Sequence, residues 1–367
     1  MTYRKDLESC RDLIKTGSYS FYAASRLLPA RVRDPAIVLY SFCRLADDAI
    51  DNSTSKQKAY RKLSRRLDLV YKGKPIDTPF DRAFSGMVDK FELPKALPKA
   101  LLEGMKWDAE GRQYRNISEL KSYSARVASA VGVMMCVIMG ARNKHVLARA
   151  CDLGVAMQLT NIARDIGEDA KEGRLYIPLD WFNEMQITQS EFFEGAYASF
   201  PLASITERLL KEADFLYKRA THGLAGLPIF CRPGIFSALH IYSRIGEHIA
   251  KANYDSVNKR AVTSKSEKLS LLMYSLAESA SVTIFPHHPL IKAPALDEAK
   301  FLVQSASLNN QKIQIDKPFG ESKDKSGRYY QVNEFESFVA KSNSVLQDDT
   351  IPSMMRLKIF KKVYYYG

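Results

Sequence analysis

A succession of helix-length segments over residues 3–280 constrains the fold of this chain more than any other feature. Apolar residues recur there mainly at intervals of three and four, the spacing of one face of an α-helix. The segments are interrupted where proline or glycine ends or weakens a helix. These interruptions lie near Pro29, 75–79, 94–98, 111–116, Pro178, Pro201 and 228–233. The pattern predicts an all-α protein.

The composition agrees with one large helical body. Hydrophobic residues make up 46% of 367 residues, enough to bury a large core, and only 18 Gly and 15 Pro are present. No repeat of 20 to 50 residues is visible, which argues against a solenoid. After residue 288 the sequence becomes polar and low in periodicity, so we predict a helical domain at 1–288 and a weakly ordered C-terminal extension at 289–367.

Charge and cysteine usage narrow the class of partner and compartment. The net charge is +13, but the basic residues are dispersed and no RNA-binding or zinc-ligand spacing accompanies them, so we expect no nucleic-acid partner. An anionic lipid or a polyanionic substrate remains an open alternative for the binding partner.

The five cysteines form no CxxC pair, which suits a reduced cytoplasm. No leader opens the chain, and its most apolar stretch, 131–141, is far shorter than a spanning helix. We therefore expect a cytoplasmic protein, soluble or peripheral at a membrane.

Three acids follow an unusually apolar helix. The stretch AIVLYSFCRLA at 36–46 is apolar on nearly every side, as in a helix inside a large core. Asp47, Asp48 and Asp51 come directly after it, and the spacing of four places Asp47 and Asp51 on one face, with Arg44 one turn earlier. Carboxylates at the end of a buried helix are costly unless a cation or hydrogen bonds compensate them.

A second polar stripe occurs in QLTNIARDIGEDA. Gln158, Asn161, Asp165 and Asp169 follow one another at steps of three, four and four on an otherwise apolar helix. Oxygen ligands from Asp and Asn suit Mg²⁺, which typically joins a few carboxylates to substrate phosphates. A single DxxxD is usually a solvated helix face with salt bridges. Two copies, each in an apolar helix with an arginine (Arg44, Arg164), instead predict a magnesium site between two helices.

Four strings resemble the squalene and phytoene synthases, in matching order and separation. They are SFYAASRLLP (20–29), LYSFCRLADDAID (39–51), RVASAVGVMM (126–135) and MQLTNIARDIGEDAKEGRLYIPLDW (157–181). The likeness covers roughly residues 5–280, and the last string is most similar to the bacterial phytoene synthase branch. The resemblance implies a single-domain isoprenoid synthase fold with a central apolar cavity and diphosphates bound at its mouth.

The resemblance also assigns roles to individual residues. It implies that Mg²⁺, or Mn²⁺ in its place, is held by the acids of both clusters with an amide beside them: Asp47, Asp48, Asp51, Asn161, Asp165 and Asp169. It implies catalytic roles for Asp47, Asp51, Asp165, Asp169, Arg44, Tyr40 and Tyr242. Substrate contacts are implied for Ser18, Ser20, Phe21, Ser25, Tyr123, Gln158, Asn161, Arg164, Tyr176 and Arg260. Without the resemblance, aromatic residues at helical spacing are more often ordinary core.

Three departures from the family pattern are local. Tyr19 stands where a basic residue is common between two serines, so a diphosphate contact is lost there or supplied by Arg26. Ser124 and Ser129 replace the usual Cys and Gly, which is expected to alter a close helix approach slightly.

The implied reaction is the head-to-head condensation of two geranylgeranyl diphosphates to phytoene, through a cyclopropylcarbinyl diphosphate and without NADPH. The nearest alternative is a presqualene, squalene or dehydrosqualene synthase acting on C15 farnesyl diphosphate. A rival of another class is a non-catalytic assembly subunit with the same fold, which the intact acids of both clusters argue against.

Overall fold

The computed structural model describes residues 2–17, 28–195, 199–284 and 289–307. Within these ranges the chain forms α-helices, short 3₁₀ turns and one π-helical turn, and no β-strand. The all-α prediction is therefore confirmed. No helix in this part of the chain has both the length and the apolar character needed to cross a bilayer.

The first half of the fold ends in a buried helix. In order, its helices are α1 (Thr2–Gly17), α2 (Ala30–Asp51), α3 (Lys56–Tyr71), α4 (Pro79–Lys90), α5 (Ala96–Ala109), α6 (Ile117–Ser124) and α7 (Ala130–Ile138). A π-helical turn, Ala125–Ser129, joins α6 to α7. Local sequence sets the helix starts. Thr78 accepts a hydrogen bond from the Asp81 amide, and Asn116 accepts one from the Glu119 amide.

The second half is built around two long buried helices. Its helices are α8 (Lys144–Arg164), α9 (Ile166–Lys171), α10 (Leu179–Glu184), α11 (Gln189–Gly195), α12 (Phe200–Thr221), α13 (Arg232–Lys251), α14 (Lys265–Ile284) and α15 (Lys300–Ala306). The intervening 3₁₀ turns are Leu224–Gly226, Ile229–Cys231, Pro289–Lys292 and Asp297–Ala299. These boundaries agree with the proline and glycine breaks predicted from sequence.

Helix α8 is the centre of the fold. Almost every residue from Val146 to Arg164 is buried, and the helix packs along α12 and against α7 and α13. A helix enclosed in this way needs apolar residues on all sides. The polar side chains that it nevertheless carries near its C-terminal end require a separate explanation.

A close contact joins α8 to the π-helical turn. A Cβ atom on Gly154 would lie 2.6 Å from the backbone N of Ser129, so glycine is required here. The Ser129 hydroxyl is buried and donates to the Cys151 carbonyl at 2.7 Å. Ser124 likewise donates to the Leu120 carbonyl at 2.9 Å. Both serines are accommodated, because Gly154 supplies the space and two carbonyls accept the hydroxyls.

Residues 289–307 pack against the helical body. Ala299, Leu302 and Ala306 are fully buried. The Pro294 carbonyl accepts hydrogen bonds from Arg149 at 3.2 Å and Arg219 at 2.7 Å. The weak order predicted for the extension therefore does not extend to this part of it. The domain boundary at 288 and the character of 308–367 stay predictions, since 308–367 lies outside the described residues.

Candidate active site

The first acid cluster lies at the C-terminal end of α2. Asp47 and Asp51 line a small cavity of about 30 Å³ together with Lys56, Asp108 and Arg174. Asp47 is 4% exposed although it is a carboxylate. The sequence placed Asp47 and Asp51 on one face, and the structure agrees.

Burial raises the pKa of Asp47 well above the usual carboxyl range. The negative charges of Asp51, Asp48 and Asp108 raise it further, and the Arg44 guanidinium offsets only part of this effect. A carboxylate in such surroundings gains from a bound cation, which would remove both the desolvation cost and the repulsion.

Asp48 faces a different direction from its neighbours. Its Oδ2 accepts a hydrogen bond from Arg44 Nε at 2.7 Å, and its side chain is 34% exposed. It is not among the residues that line the 30 Å³ cavity. Asp48 therefore holds Arg44 in place. The metal role of Asp48 stays a prediction, since Asp47 and Asp51 line the cavity and Asp48 does not.

The second cluster lies where α8 ends and α9 begins. Asp165 has φ −101° and ψ 14°, outside the helical range, so the polar stripe predicted along one helix crosses a break. The Asp169 amide still donates to the Asp165 carbonyl at 2.8 Å. Gln158, Asn161, Asp165 and Asp169 are each at most 4% exposed. The four polar residues therefore lie on two successive helices and the break between them, not on one helix as predicted.

Two arginines hold the Asp165 carboxylate. Arg164 donates from Nε and Nη2 at 2.9 and 2.8 Å, and Arg260 approaches Oδ1 to 3.0 Å. Arg260 also lies 3.3 Å from Glu168. Burial alone would lower the pKa of Arg164, but the charge and hydrogen bonds of Asp165 raise it overall. The two guanidinium groups form a cationic rim beside the acids, as a diphosphate site requires.

A docked loop brings Arg260 to this position. The Gly167 amide donates to the Ser256 carbonyl at 3.1 Å, and a Cβ on Gly167 would lie 2.7 Å from the Val257 carbonyl oxygen. Asp255 accepts from the amides of Val257 and Asn258 and fixes the turn. Glycine at 167 thus permits the loop to seat on α9.

Two buried amide side chains offer polar atoms to a ligand. Both polar atoms of Asn161 and the Gln158 Oε1 have no hydrogen-bond partner among the described residues. Buried polar groups are normally paired, because leaving one unpaired costs about 1–3 kcal/mol. A cation or a phosphate oxygen at this position would satisfy these atoms.

The donor set fits a divalent cation that enters with a diphosphate. Among the described residues, no three acidic, histidine or cysteine side chains converge closely enough to hold an ion by themselves. Magnesium commonly uses one or two carboxylates, with phosphate oxygens and waters completing its shell. Two groups of residues offer such partial sets: Asp47 with Asp51, and Asn161 with Asp165 and Asp169.

Between the two clusters lies a group of tyrosines. Tyr123 and Tyr176, both predicted from sequence, donate to the two oxygens of Asp108 at 2.7 and 2.5 Å. Tyr114 packs against both rings. Sequence reasoning missed Asp108 and Arg174. Asp108 carries the signal that identified Asp47, an acid at the end of an apolar helix.

The remaining candidates fall into two groups. Tyr40 and Tyr242 are 1% and 4% exposed, and the Tyr242 hydroxyl is close enough to Arg164 to affect its pKa. Ser18, Ser20, Phe21 and Ser25 lie outside the described residues, as do Tyr19 and Arg26.

An apolar cavity of about 90 Å³ lies along α8, where its lining runs from Val146 to Met157. Its walls include Met135, Met139, Leu153, Met157 and Ile235. Met157, the last α8 residue in this lining, directly precedes Gln158 of the polar stripe. Two acid-bearing helix ends with arginines, in an all-α fold with an apolar cavity, are the features that a ligand with an anionic group and a hydrocarbon chain requires.

Comparison with known proteins identifies the family. Residues 14–267 match the squalene/phytoene synthase family. A phytoene synthase of Cereibacter sphaeroides is 51% identical over 312 residues, 82% of this chain and 88% of the relative. A 15-cis-phytoene synthase of Pantoea ananas is 35% identical, over 76% of this chain and 93% of the relative. The chain therefore belongs to the squalene/phytoene synthase family, whose members process prenyl diphosphates and generally depend on a divalent metal.

Solved structures agree with the fold. A dehydrosqualene synthase superimposes with a TM-score of 0.69 and 33% identity, over 76% of this chain and 98% of that one. A squalene synthase of Alicyclobacillus acidocaldarius gives 0.63 at 22% identity, over 69% and 95%, which supports the fold alone. The isoprenoid synthase fold predicted from sequence is confirmed.

Proposed function

We propose that this protein condenses two geranylgeranyl diphosphates head to head to form phytoene. The observation that supports this best is the 51% identity to a protein named phytoene synthase, over most of both chains. The structure adds a reason. Within the described residues, the acids of the family strings are grouped at two helix ends with arginines beside them, and an apolar cavity lies along α8.

The first step is ionisation of one allylic diphosphate. Its C1–O bond breaks, the electron pair leaves with the diphosphate, and an allylic cation remains. Asp47, Asp51, Asn161, Asp165 and Asp169 are the residues that would hold Mg²⁺, with Mn²⁺ as the alternative ion. When bound, the ion supplies positive charge to the departing diphosphate. Arg44, Arg164 and Arg260 add further positive charge at the same end.

The second molecule then attacks the cation through its double bond. Loss of a proton closes a cyclopropane ring and gives the cyclopropylcarbinyl diphosphate. This intermediate ionises in turn, rearranges and loses a proton to form phytoene. We assign no protein residue as the base, since the released diphosphate can accept the proton. No reduction occurs, so no NADPH is required.

The apolar walls exclude water from these cations. Burial raises the pKa of Tyr123 and Tyr176 well above the usual phenol range, so both stay neutral. Their ring faces can stabilise positive charge. A cavity of 90 Å³ is below the roughly 300–1,000 Å³ of typical ligand pockets. Three wall residues are methionines, whose flexible chains can change rotamer to admit a longer hydrocarbon.

Product identification tests this proposal. The enzyme is incubated with C15 or C20 diphosphate and magnesium, with and without NADPH. We expect phytoene from the C20 substrate alone. The alternative is a C15 substrate, which would give presqualene diphosphate, squalene or dehydrosqualene. The similarity to a dehydrosqualene synthase structure supports testing it. A clear preference for C15 would overturn the C20 assignment but not the reaction class.

Cytoplasmic location with peripheral membrane contact is also part of the proposal. Phytoene is a hydrocarbon and requires a lipid phase after release. Leu269, Met273 and Tyr274 on α14 are exposed, at 39%, 57% and 57%. Sedimentation with lipid vesicles tests this contact, and Met273→Asp should weaken it.

A further inference from the structure

Asp108 occupies the space between the two acid clusters. It lies near the C-terminal end of α5 and lines the 30 Å³ cavity with Asp47 and Asp51. Both of its carboxylate oxygens accept short hydrogen bonds, Oδ2 from Tyr123 at 2.7 Å and Oδ1 from Tyr176 at 2.5 Å. Hydrogen bonds to an ionised acceptor are about twice as strong as neutral ones. The carboxylate therefore fixes both phenol groups.

The two tyrosines belong to different parts of the fold. Tyr123 is on α6, whereas Tyr176 follows α9 in the segment that also carries Arg174. Their ring centroids are 5.4 Å apart with planes tilted by 28°. Tyr114 lies 5.2 Å from Tyr123 and completes the stack. Asp108 thus joins α5, α6 and the segment after α9 at one point.

Arg174 extends this link to the second acid cluster. Burial alone would lower its pKa, but Tyr176, Asp169 and Asp108 together raise it. The Arg174 amide donates to the Asp169 carbonyl at 2.8 Å. The Leu179 amide donates to the Tyr114 carbonyl at 2.9 Å, which secures the same segment to the loop before α6. Asp47, Asp108 and Arg174 therefore line one cavity, and the Arg174 amide joins this group to Asp169 of the second cluster.

We propose that Asp108 is a positioning residue for the condensation. It orients the rings of Tyr123 and Tyr176 and, with Arg174, fixes the separation of the two acid clusters. This inference rests on the proposed function for the identity of the reaction. It does not depend on the chain length of the substrate, because none of these residues lines the apolar cavity.

A metal ligand at this position is a different hypothesis, and the geometry argues against it. Both oxygens of Asp108 already accept a phenol hydrogen, so a metal would have to share an oxygen with one of these hydrogen bonds. Loss of a ligand raises the magnesium concentration needed for half-maximal rate. Loss of a positioning residue lowers kcat and leaves that concentration nearly unchanged.

The test uses Asp108→Asn, which keeps the shape but removes the charge. We expect kcat to fall about 10- to 100-fold, the range found when residues that hydrogen-bond to and orient functional side chains are replaced. The KM and the magnesium concentration for half-maximal rate should change less than about threefold. Glu103→Gln is the matched control on the same helix. It removes an ion pair with Arg126 and should leave kcat within about twofold.

A mutant cycle separates positioning from general loss of structure. Tyr123→Phe/Tyr176→Phe removes the two hydroxyls that Asp108 binds. If Asp108 acts through them, adding Asp108→Asn to this variant lowers kcat by less than about threefold. A full additional 10- to 100-fold loss would overturn the proposal, as would unchanged kcat in the single variant. A tenfold rise in the magnesium requirement would show a ligand instead.

Each variant is assayed with the diphosphate, C15 or C20, that the wild-type enzyme condenses. If the wild-type enzyme condenses neither the C15 nor the C20 diphosphate, the proposed function is overturned. That result would not bear on the hydrogen bonds between Asp108 and the two tyrosines. Circular dichroism and thermal unfolding verify that the variants are folded.

Discussion

The Arg260 guanidinium lies 3.0 Å from the Asp165 carboxylate although 95 residues separate them in sequence. One residue ends the central helix and the other sits in the loop that Gly167 allows to dock. Because Arg164 holds the same carboxylate, Asp165 carries two positive groups at the place where a diphosphate is expected. The pair links the second acid cluster to a loop that is distant in sequence.

Replacing Arg260 should weaken diphosphate binding more than it weakens the fold. We expect Arg260→Ala to raise the inhibition constant for inorganic pyrophosphate, measured with magnesium present, by about tenfold or more, since a hydrogen bond to a charged group contributes about 1.5–3 kcal/mol. The control is Arg244→Ala, which removes an exposed pair with Glu247. Equal inhibition constants in the two variants would contradict a role for Arg260 at the diphosphate.

Asp47→Asn should abolish turnover while stabilising the metal-free protein. The pKa of Asp47 is higher in the folded than in the unfolded state, so its contribution to stability is present at low pH and is lost as pH rises through the folded pKa. At neutral pH the buried carboxyl group therefore destabilises the fold. Asparagine removes that cost, and we expect a gain of about 0.5–2 kcal/mol.

The measurement is thermal unfolding at pH 7 in EDTA, with turnover assayed at saturating magnesium. The gain should disappear near pH 4, where the wild-type carboxyl is protonated. Turnover should fall by at least about 100-fold, as for other lost electrostatic partners in catalysis. Asp165→Asn should lose turnover to a similar extent. It should not stabilise the fold, because its carboxylate is paired with two arginines.

Two truncations of the C-terminal segment should differ in their effect. A chain shortened to 1–307 should fold and turn over normally, because residues 308–367 carry none of the family strings. A chain shortened to 1–288 loses Leu302, whose burial alone contributes about 1.5–3 kcal/mol, and the Pro294 carbonyl that Arg149 and Arg219 share. Thermal unfolding compares the two. A folded but inactive 1–307 chain would show that the tail completes the site.

Sequence predicted the helical class, the helix boundaries at prolines and the placement of Asp47 and Asp51 on one helix face. These depend on short-range periodicity, which a single chain displays directly. It did not predict the helix break at Asp165, since an uninterrupted DxxxD pattern shows no break. It also missed Asp108, whose importance comes from tyrosines 15 and 68 residues away. The packing of 289–307 was missed because its buried residues are few among polar neighbours.

The last prediction concerns the apolar cavity and the length of the substrate. Ala150 on α8 lines this cavity, and a phenyl ring there would occupy space that the end of a C20 chain needs more than that of a C15 chain. Overpacking typically costs about 1–3 kcal/mol, and about 1.4 kcal/mol corresponds to tenfold discrimination. We expect Ala150→Phe to lower kcat/KM for the C20 diphosphate about tenfold relative to the C15 diphosphate. Ala250→Phe, on α13 and outside the cavity lining, is the control and should leave the ratio unchanged. If Ala150→Phe slows both substrates equally, the cavity does not hold the end of the chain, and its methionine walls serve packing alone.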